Sequence, residues 1–191
     1  MKIHLIKLSA CKIASLIAIC VCFWLHTIFA QETNIQKASG SQGQTNSNLF
    51  QASKNGFSAM MFFTEDLDFP KNFAQGGDIT LNATTSVRVD TPFLLTVSFS
   101  GPGVTSEGNA DVALDITITK PDGTTYFEAK DAPAWKGRYP YSETSTQLAE
   151  AVVKLTIESK DPVGRYTAKG TIRDKVKGID LPIEKTFDVT K

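Results

Sequence analysis

Beyond residue 30 the chain has no cysteine and no histidine: Cys11, Cys20 and Cys22, with His4 and His26, are the only residues of those types among the 191. That absence excludes much. Ser-His-Asp and Cys-His nucleophile systems cannot be built from residues 31–191. Zinc sites made of imidazole or thiolate are excluded as well, and no disulfide can staple the fold there. Long helical periodicity and internal repeats are also missing. Net charge is small: residues 31–191 hold seventeen Lys and Arg against twenty Asp and Glu, a net −3. So small an excess predicts neither nucleic-acid binding nor polybasic attraction to a membrane surface. The remaining chemistry is that of carboxylates and lysines, and no cofactor is expected.

The first thirty residues differ from the rest. Lys2, Lys7 and Lys12 precede the apolar run "IASLIAICVCFWLHTIFA", after which "QETNIQKASGSQGQTNSN" is wholly polar. A basic start, an apolar stretch and the small residue Ala30 make residues 1–30 a secretory signal peptide. Bulky Ile28 makes the cleavage site imperfect, and the run is near the lower limit for spanning a bilayer, so a retained anchor is the alternative. Cys20 and Cys22 follow Ile19 and Val21 rather than the small residue a lipoprotein site needs. Residues 31–56 bury too little to offset ordering entropy and read as a flexible polar linker, with Leu49 and Phe50 as a weak docking spot. The expected location is periplasmic or secreted, with no stable membrane span after cleavage.

Residues 57–191 alternate with period two. Phe93, Leu95, Val97 and Phe99 share one face, as do Val112, Leu114, Ile116 and Ile118, then Val153, Leu155 and Ile157. Tyr166, Ala168, Gly170 and Ile172 follow, and the last strand carries Ile179, Leu181, Ile183, Phe187 and Val189. Lys185 interrupts that final row, which suggests an edge position or a bulge. "FSAMMFF" and "SVRVD" add strands on the N-terminal side, and "DFPKNFAQ" suggests one helical turn capped by an acid. One apolar face per strand indicates antiparallel sheets on a single core. The turn at Pro121-Asp122-Gly123 and the Gly-rich loop from Gly101 to Asp111 fit short strands at sandwich spacing.

Asp161-Pro162-Val163-Gly164 has the residue choice of a type I turn. Tyr166 follows it, where immunoglobulin domains place a tyrosine that hydrogen-bonds back to upstream backbone. Their cysteine two residues later is Ala168 here. The chain therefore resembles a disulfide-free immunoglobulin-like or fibronectin-III-like β-sandwich of about seven or eight antiparallel strands. "GNADVALDITITKPDGTTYFEAKDAPAWKG" and "LTIESKDPVGRYTAKGTIRDKVKGIDLPIEKTFDV" carry a second resemblance, over residues 57–189. The Pro-Asp-Gly turn, the Asp…Trp-x-Gly loop, the Asp-Pro-x-Gly-x-Tyr corner and the Phe-containing final strand are similar to a family of small exported bacterial proteins. The resemblance implies an exported sandwich and adds nothing about catalysis.

Candidate sites are few. Glu65, Asp66 and Asp68 offer paired carboxylates for glycoside hydrolysis or oxygen ligands for Ca²⁺; a solvated acidic turn is the simpler account. Glu107, Asn109, Asp111 and Asp115 miss the EF-hand spacing. The Gly101-Pro102-Gly103 stretch lacks the strand–loop–helix context of a phosphate loop, and the Asn82 sequon has little weight. The stretch from Asp131 to Glu143 stands out, because it sets Trp135, Tyr139 and Tyr141 beside Lys136 and Arg138 in a Pro- and Gly-containing loop. Such residues anchor interfaces and stack on sugars, or else cap the end of a core. The expected function is a non-enzymatic binding or structural module of the bacterial envelope. Its partner would be an envelope or extracellular protein or a glycan, met through Trp135, Arg138, Tyr139 and Tyr141. A carboxylate-dependent enzyme acting on glycans is the alternative. Strand addition at a sheet edge is a third mode, which Pro182 and Lys185 oppose in the last strand.

Overall fold

The computed structural model describes residues 4–7, 51–76 and 80–191. The expected signal peptide, apart from His4–Lys7, and the expected linker as far as Phe50 lie outside the described residues. The elements are β1 (His4–Lys7), β2 (Ala52–Lys54), β3 (Phe57–Thr64), α1 (Phe69–Gln75), β4 (Ser86–Arg88), β5 (Pro92–Ser100), β6 (Asn109–Thr119) and β7 (Thr125–Arg138). They continue with β8 (Gln147–Leu148), β9 (Ala151–Thr156), β10 (Gly164–Asp174) and β11 (Ile179–Thr190). The described residues are thus nearly all β, and seven of the strands have six or more residues.

Two sheets share one core. The first runs β1-β9-β5-β3-β2 with β8 also on β5, and the second runs β4-β11-β10-β6-β7. Every pairing is antiparallel except β4 with β11. The alternating residues read from the sequence point inward: Phe93, Leu95, Val97, Leu114, Ile118, Val153, Tyr166 and Phe187 are all buried in the shared cluster. Phe187 of β11 crosses between the sheets, with its ring centroid 4.6 Å from Phe63 and 5.3 Å from Phe93. It also stacks on Tyr166 at 5.3 Å. These offset and tilted geometries are the ones aromatic quadrupoles favour.

β5 departs from one apolar face per strand. Leu94, Thr96 and Ser98 on its other face are buried too. It is interior to its sheet, and a second cluster of Phe62, Phe69 and Leu148 packs that outer face beside β3. α1 supplies Phe69 and packs Phe73 against the same cluster. It is longer than one turn, and Asp68 at its N-cap makes no side-chain capping bond. Pro70 sits instead in the first turn, where a missing N–H costs nothing.

Other sequence expectations shift in register. Ala52–Lys54 pairs with β3, so paired strand reaches into the expected linker, and His4–Lys7 within the expected signal peptide pairs with β9. The corner turn is closed by Asp161 N–H donating to Glu158 O at 2.8 Å, which places the tight turn at residues 158–161 rather than 161–164. Asp161 accepts the Glu158 N–H on its carboxylate at 3.2 Å, so it closes the turn rather than opening it. The Tyr166 hydroxyl donates to Pro162 O at 2.8 Å. Burial, with the nearby Asp161 charge, pushes that phenol up to about 12. Lys185 interrupts no pairing, since β10 and β11 stay in register from Gly164↔Val189 to Asp174↔Ile179. On the other side of β11, β4 reaches only Asp188–Thr190, so Lys185 lies on an edge stretch.

Tyr166→Phe removes one hydrogen bond and leaves the ring packing intact, so it is expected to cost about 1 kcal/mol in urea unfolding with an unchanged slope. A loss of several kcal/mol would mean that the hydroxyl organises far more than the corner.

Candidate functional site

The expected aromatic loop is mostly strand. β7 runs to Arg138 and carries Asp131, Pro133 and Trp135 within it. Register shifts beside Ala113 and between Leu114 and Ile116 admit the extra residues, and Asp131 sits at φ 50. β7 is the outer strand of its sheet, where proline is tolerated because no ladder bond is lost. The connecting segment begins only at Tyr139.

Trp135 therefore faces inward, opposite Val112, and Val112 in turn pairs with Asp174. Tyr139 is 7% exposed and belongs to the core, whereas Trp135 packs against it half-buried. Tyr141 is 47% exposed. The three rings form a closed triad of edge contacts: 5.3 Å for Trp135–Tyr139, 5.7 Å for Trp135–Tyr141 and 5.5 Å for Tyr139–Tyr141. Burial, and secondarily Tyr141, pushes the Tyr139 phenol up to about 12. Trp135 Nε1 and the Tyr139 hydroxyl are buried without a hydrogen-bond partner among the described residues. Arg138 and Lys136 are exposed beside them.

This end of the core is pinned by Asp174, which is 1% exposed. Its carboxylate accepts the N–H of Gly103 on one oxygen and those of Val176 and Lys177, each at 3.0 Å, on the other. Lys177 Nζ then donates to Gly101 O at 2.9 Å and Asn55 O at 3.3 Å. Gly101 is at φ 62, and a Cβ there would overlap the Gly56 carbonyl oxygen. Tyr139 N–H donates to Gly108 O at 3.0 Å. Four connections are thereby tied into one pole: the Asn55-Gly56 turn, Gly101–Gly108, the segment from Tyr139, and Lys175–Gly178. Of the five exposed large hydrophobics among the described residues, Val104, Tyr141 and Val176 lie on it. Asp174 and Lys177 were not singled out by sequence. The available signal was parity, because the inward row of β10 ends on Asp174.

The carboxylate candidates have other roles. Asp66 accepts the Asp68 N–H at 3.0 Å and the Asp66 N–H bonds Thr64 Oγ1 at 3.1 Å, so "TEDLD" is a turn leading into α1. Glu107 is exposed, and Asp111 lies 3.8 Å from Lys175. Asp115 forms a two-point pair with Arg173 at 2.6 and 2.8 Å and accepts the Asp131 N–H at 2.7 Å. Those bonds, against the opposing effect of burial, hold its carboxyl at about 2, below the ordinary 3.8. Among the described residues no group of three or more His, Cys, Asp or Glu could hold a metal ion. Gly103 of the Gly-Pro-Gly stretch spends its N–H on Asp174 rather than offering it to an anion. Asn82 is exposed. A separate open cleft of about 560 Å³ beside β11 is lined by Thr85, Arg165, Glu184, Lys185, Thr186 and Asp188, with Arg165 paired to Asp188 at 3.0 and 3.1 Å.

Two predictions follow from these placements. Trp135→Ala should cost about 3 kcal/mol by loss of core contacts, whereas Tyr139→Phe should leave stability unchanged or raised, since no bond to a described residue is lost. Thermal unfolding of both variants checks this. For Asp115, a depressed carboxyl adds stability above its unfolded pKa and loses it as pH falls toward the folded value. The stability gap between the native chain and Asp115→Asn is thus expected to be full above about pH 4 and to close towards about pH 2 in urea titrations. A constant gap across that range would show that the pair contributes nothing through charge.

No protein-family model matches the chain, and no curated protein does. Among solved structures, self-complemented MyfA, the major subunit of Myf fimbriae from Yersinia enterocolitica, in complex with galactose, matches at 15% identity with a TM-score of 0.36, over 69% of this chain and 99% of that one. A Niemann-Pick type C2 protein from Japanese carpenter ant matches at 10% identity and 0.37, over 68% and 89%. The Pseudomonas fluorescens alkylpurine DNA glycosylase AlkC, bound to DNA containing an abasic site analog, matches at 14% and 0.37, over 56% of this chain but only 28% of its own. Identities and overlaps this low assign neither family nor activity, and what the described residues form is a nearly all-β fold of two sheets with an aromatic pole.

Proposed function

We propose that the protein is an exported, non-enzymatic binding module of the bacterial envelope or extracellular space, built as an immunoglobulin-like sandwich and meeting its partner at the aromatic pole. One observation carries this reading: exposed Val104, Tyr141 and Val176 gather on neighbouring connections beside half-buried Trp135 and exposed Arg138. Binding residues concentrate on loops positioned by a rigid scaffold, and the buried Asp174 carboxylate makes this base rigid. Aromatic and Arg anchors dominate contact energies where they are partly desolvated. The Tyr166–Pro162 hydrogen bond, with Ala168 in place of a cysteine, supports the immunoglobulin-like comparison. Among the described residues no helix is long and apolar enough to cross a membrane.

Affinity capture from a bacterial envelope extract, with Tyr141→Ala and Arg138→Ala as controls, tests the reading. Both positions are exposed, so the controls are expected to fold. Recovery of one protein or glycan by the native chain, reduced at least about tenfold by either substitution, is the expected result. Equal recovery by all three chains would place the contact elsewhere.

A further inference from the structure

We infer that the Trp135–Tyr139–Tyr141 cluster is a saccharide-binding site, in which Tyr141 covers two buried hydrogen-bonding groups that a sugar hydroxyl engages. This rests on the pole being the binding surface, and it adds the class of ligand.

The unpartnered atoms carry the inference. Trp135 Nε1 and the Tyr139 hydroxyl are both buried and without partners among the described residues, on rings whose centroids are 5.3 Å apart. A buried polar group without a partner is a standing cost to the fold. Phenylalanine in place of Tyr139 would keep the ring and remove that cost, so a functional use of the hydroxyl accounts for the tyrosine. Indole N–H can only donate, whereas a phenol both donates and accepts. A ligand that serves both must bring accepting oxygen within a short span, and the neighbouring hydroxyls of a pyranose accept from the indole while taking either role with the phenol.

The surroundings fit the same chemistry. Tyr141 touches both rings edge-on and is 47% exposed, so it is the member of the triad past which a ligand would reach Nε1 and the hydroxyl. Its ring face then suits the C–H face of a sugar. Exposed Arg138, three residues before Tyr141 at the end of β7, offers guanidinium donors for ring or exocyclic oxygens. An extended peptide is less well served here. On the β7 edge beside the cluster one acceptor is already taken, since Ala134 O accepts the Glu150 N–H at 2.9 Å.

The test uses the full chain carrying Trp24→Phe, which leaves Trp135 as its one tryptophan. It is applied to an array of immobilised neutral hexoses, N-acetylhexosamines and uronic acids, and each saccharide retained is then titrated in solution by tryptophan fluorescence. Expected are binding of at least one class, a change in Trp135 emission, and a loss of about tenfold in affinity on Tyr139→Phe without loss of thermal stability. That last combination separates a ligand contact from a structural role. Binding to no saccharide overturns the proposal, and so does binding that Tyr139→Phe leaves undiminished. If envelope capture yields a protein that depends on Tyr141 while the array stays blank, the saccharide assignment fails and the pole reading stands. If both are blank, both fail.

Discussion

The fold depends on Phe187. Without cysteine beyond residue 22, nothing covalent can join the sheets within residues 31–191, so side-chain packing must hold them at one spacing and register. Phe187 lies on β11 yet touches Phe63 and Phe93 of the facing sheet and Tyr166 of its own neighbour. Tyr166 in turn meets Tyr126 edge-on at 5.7 Å and is tethered by its hydroxyl to Pro162. One ring thus links the cross-sheet contact to the corner that turns β9 into β10. Such a staple is only as strong as its burial, which is why the rings sit at 5% exposure or less.

At the other end, charge substitutes for apolar packing. The Asp174 carboxylate is buried, but three backbone N–H groups satisfy it, and they belong to two different connections. A buried charge is tolerated when its lone pairs are filled. Its effect is to fasten the Gly101–Gly108 loop to the β10–β11 turn, and Lys177 extends the tie to Asn55. The aromatic triad stands on this base. Its two unpartnered buried groups contrast with the full satisfaction of Asp174; buried Thr96 and Ser98 on β5 also lack partners among the described residues, but only the triad sets such groups beside an exposed ring.

Much of the strand pattern was legible because period-two alternation reports burial directly. The row Tyr166, Ala168, Ile172 is buried as the pattern requires. Among the short strands "SVRVD" was legible and is β4, Ser86–Arg88, whereas Ala52–Lys54 and Gln147–Leu148 escaped because they are too brief for periodicity. The segment from Asp131 to Arg138 misled because Pro133 and Gly137 look like loop residues. Bulges on an outer strand accommodate both, so local composition and the tertiary assignment disagree there. Carboxylates close in sequence, such as Asp111 and Asp115, found separate cationic partners once the sheet was formed.

By itself the sequence determined that residues 31–191 fold without disulfides, that their long strands alternate, and that histidine and thiol chemistry are excluded, because residue type and parity need no tertiary partner to be read. Only the tertiary structure decided that Trp135 faces the core from a strand, that Tyr141 is the exposed member of a three-ring cluster, and that Asp174 pins the connections beneath it. Those facts depend on bulges and on hydrogen bonds between residues up to 122 positions apart. Burial of a donor and the absence of its partner among the described residues are properties of the packed chain alone, which is why the candidate site became specific only there.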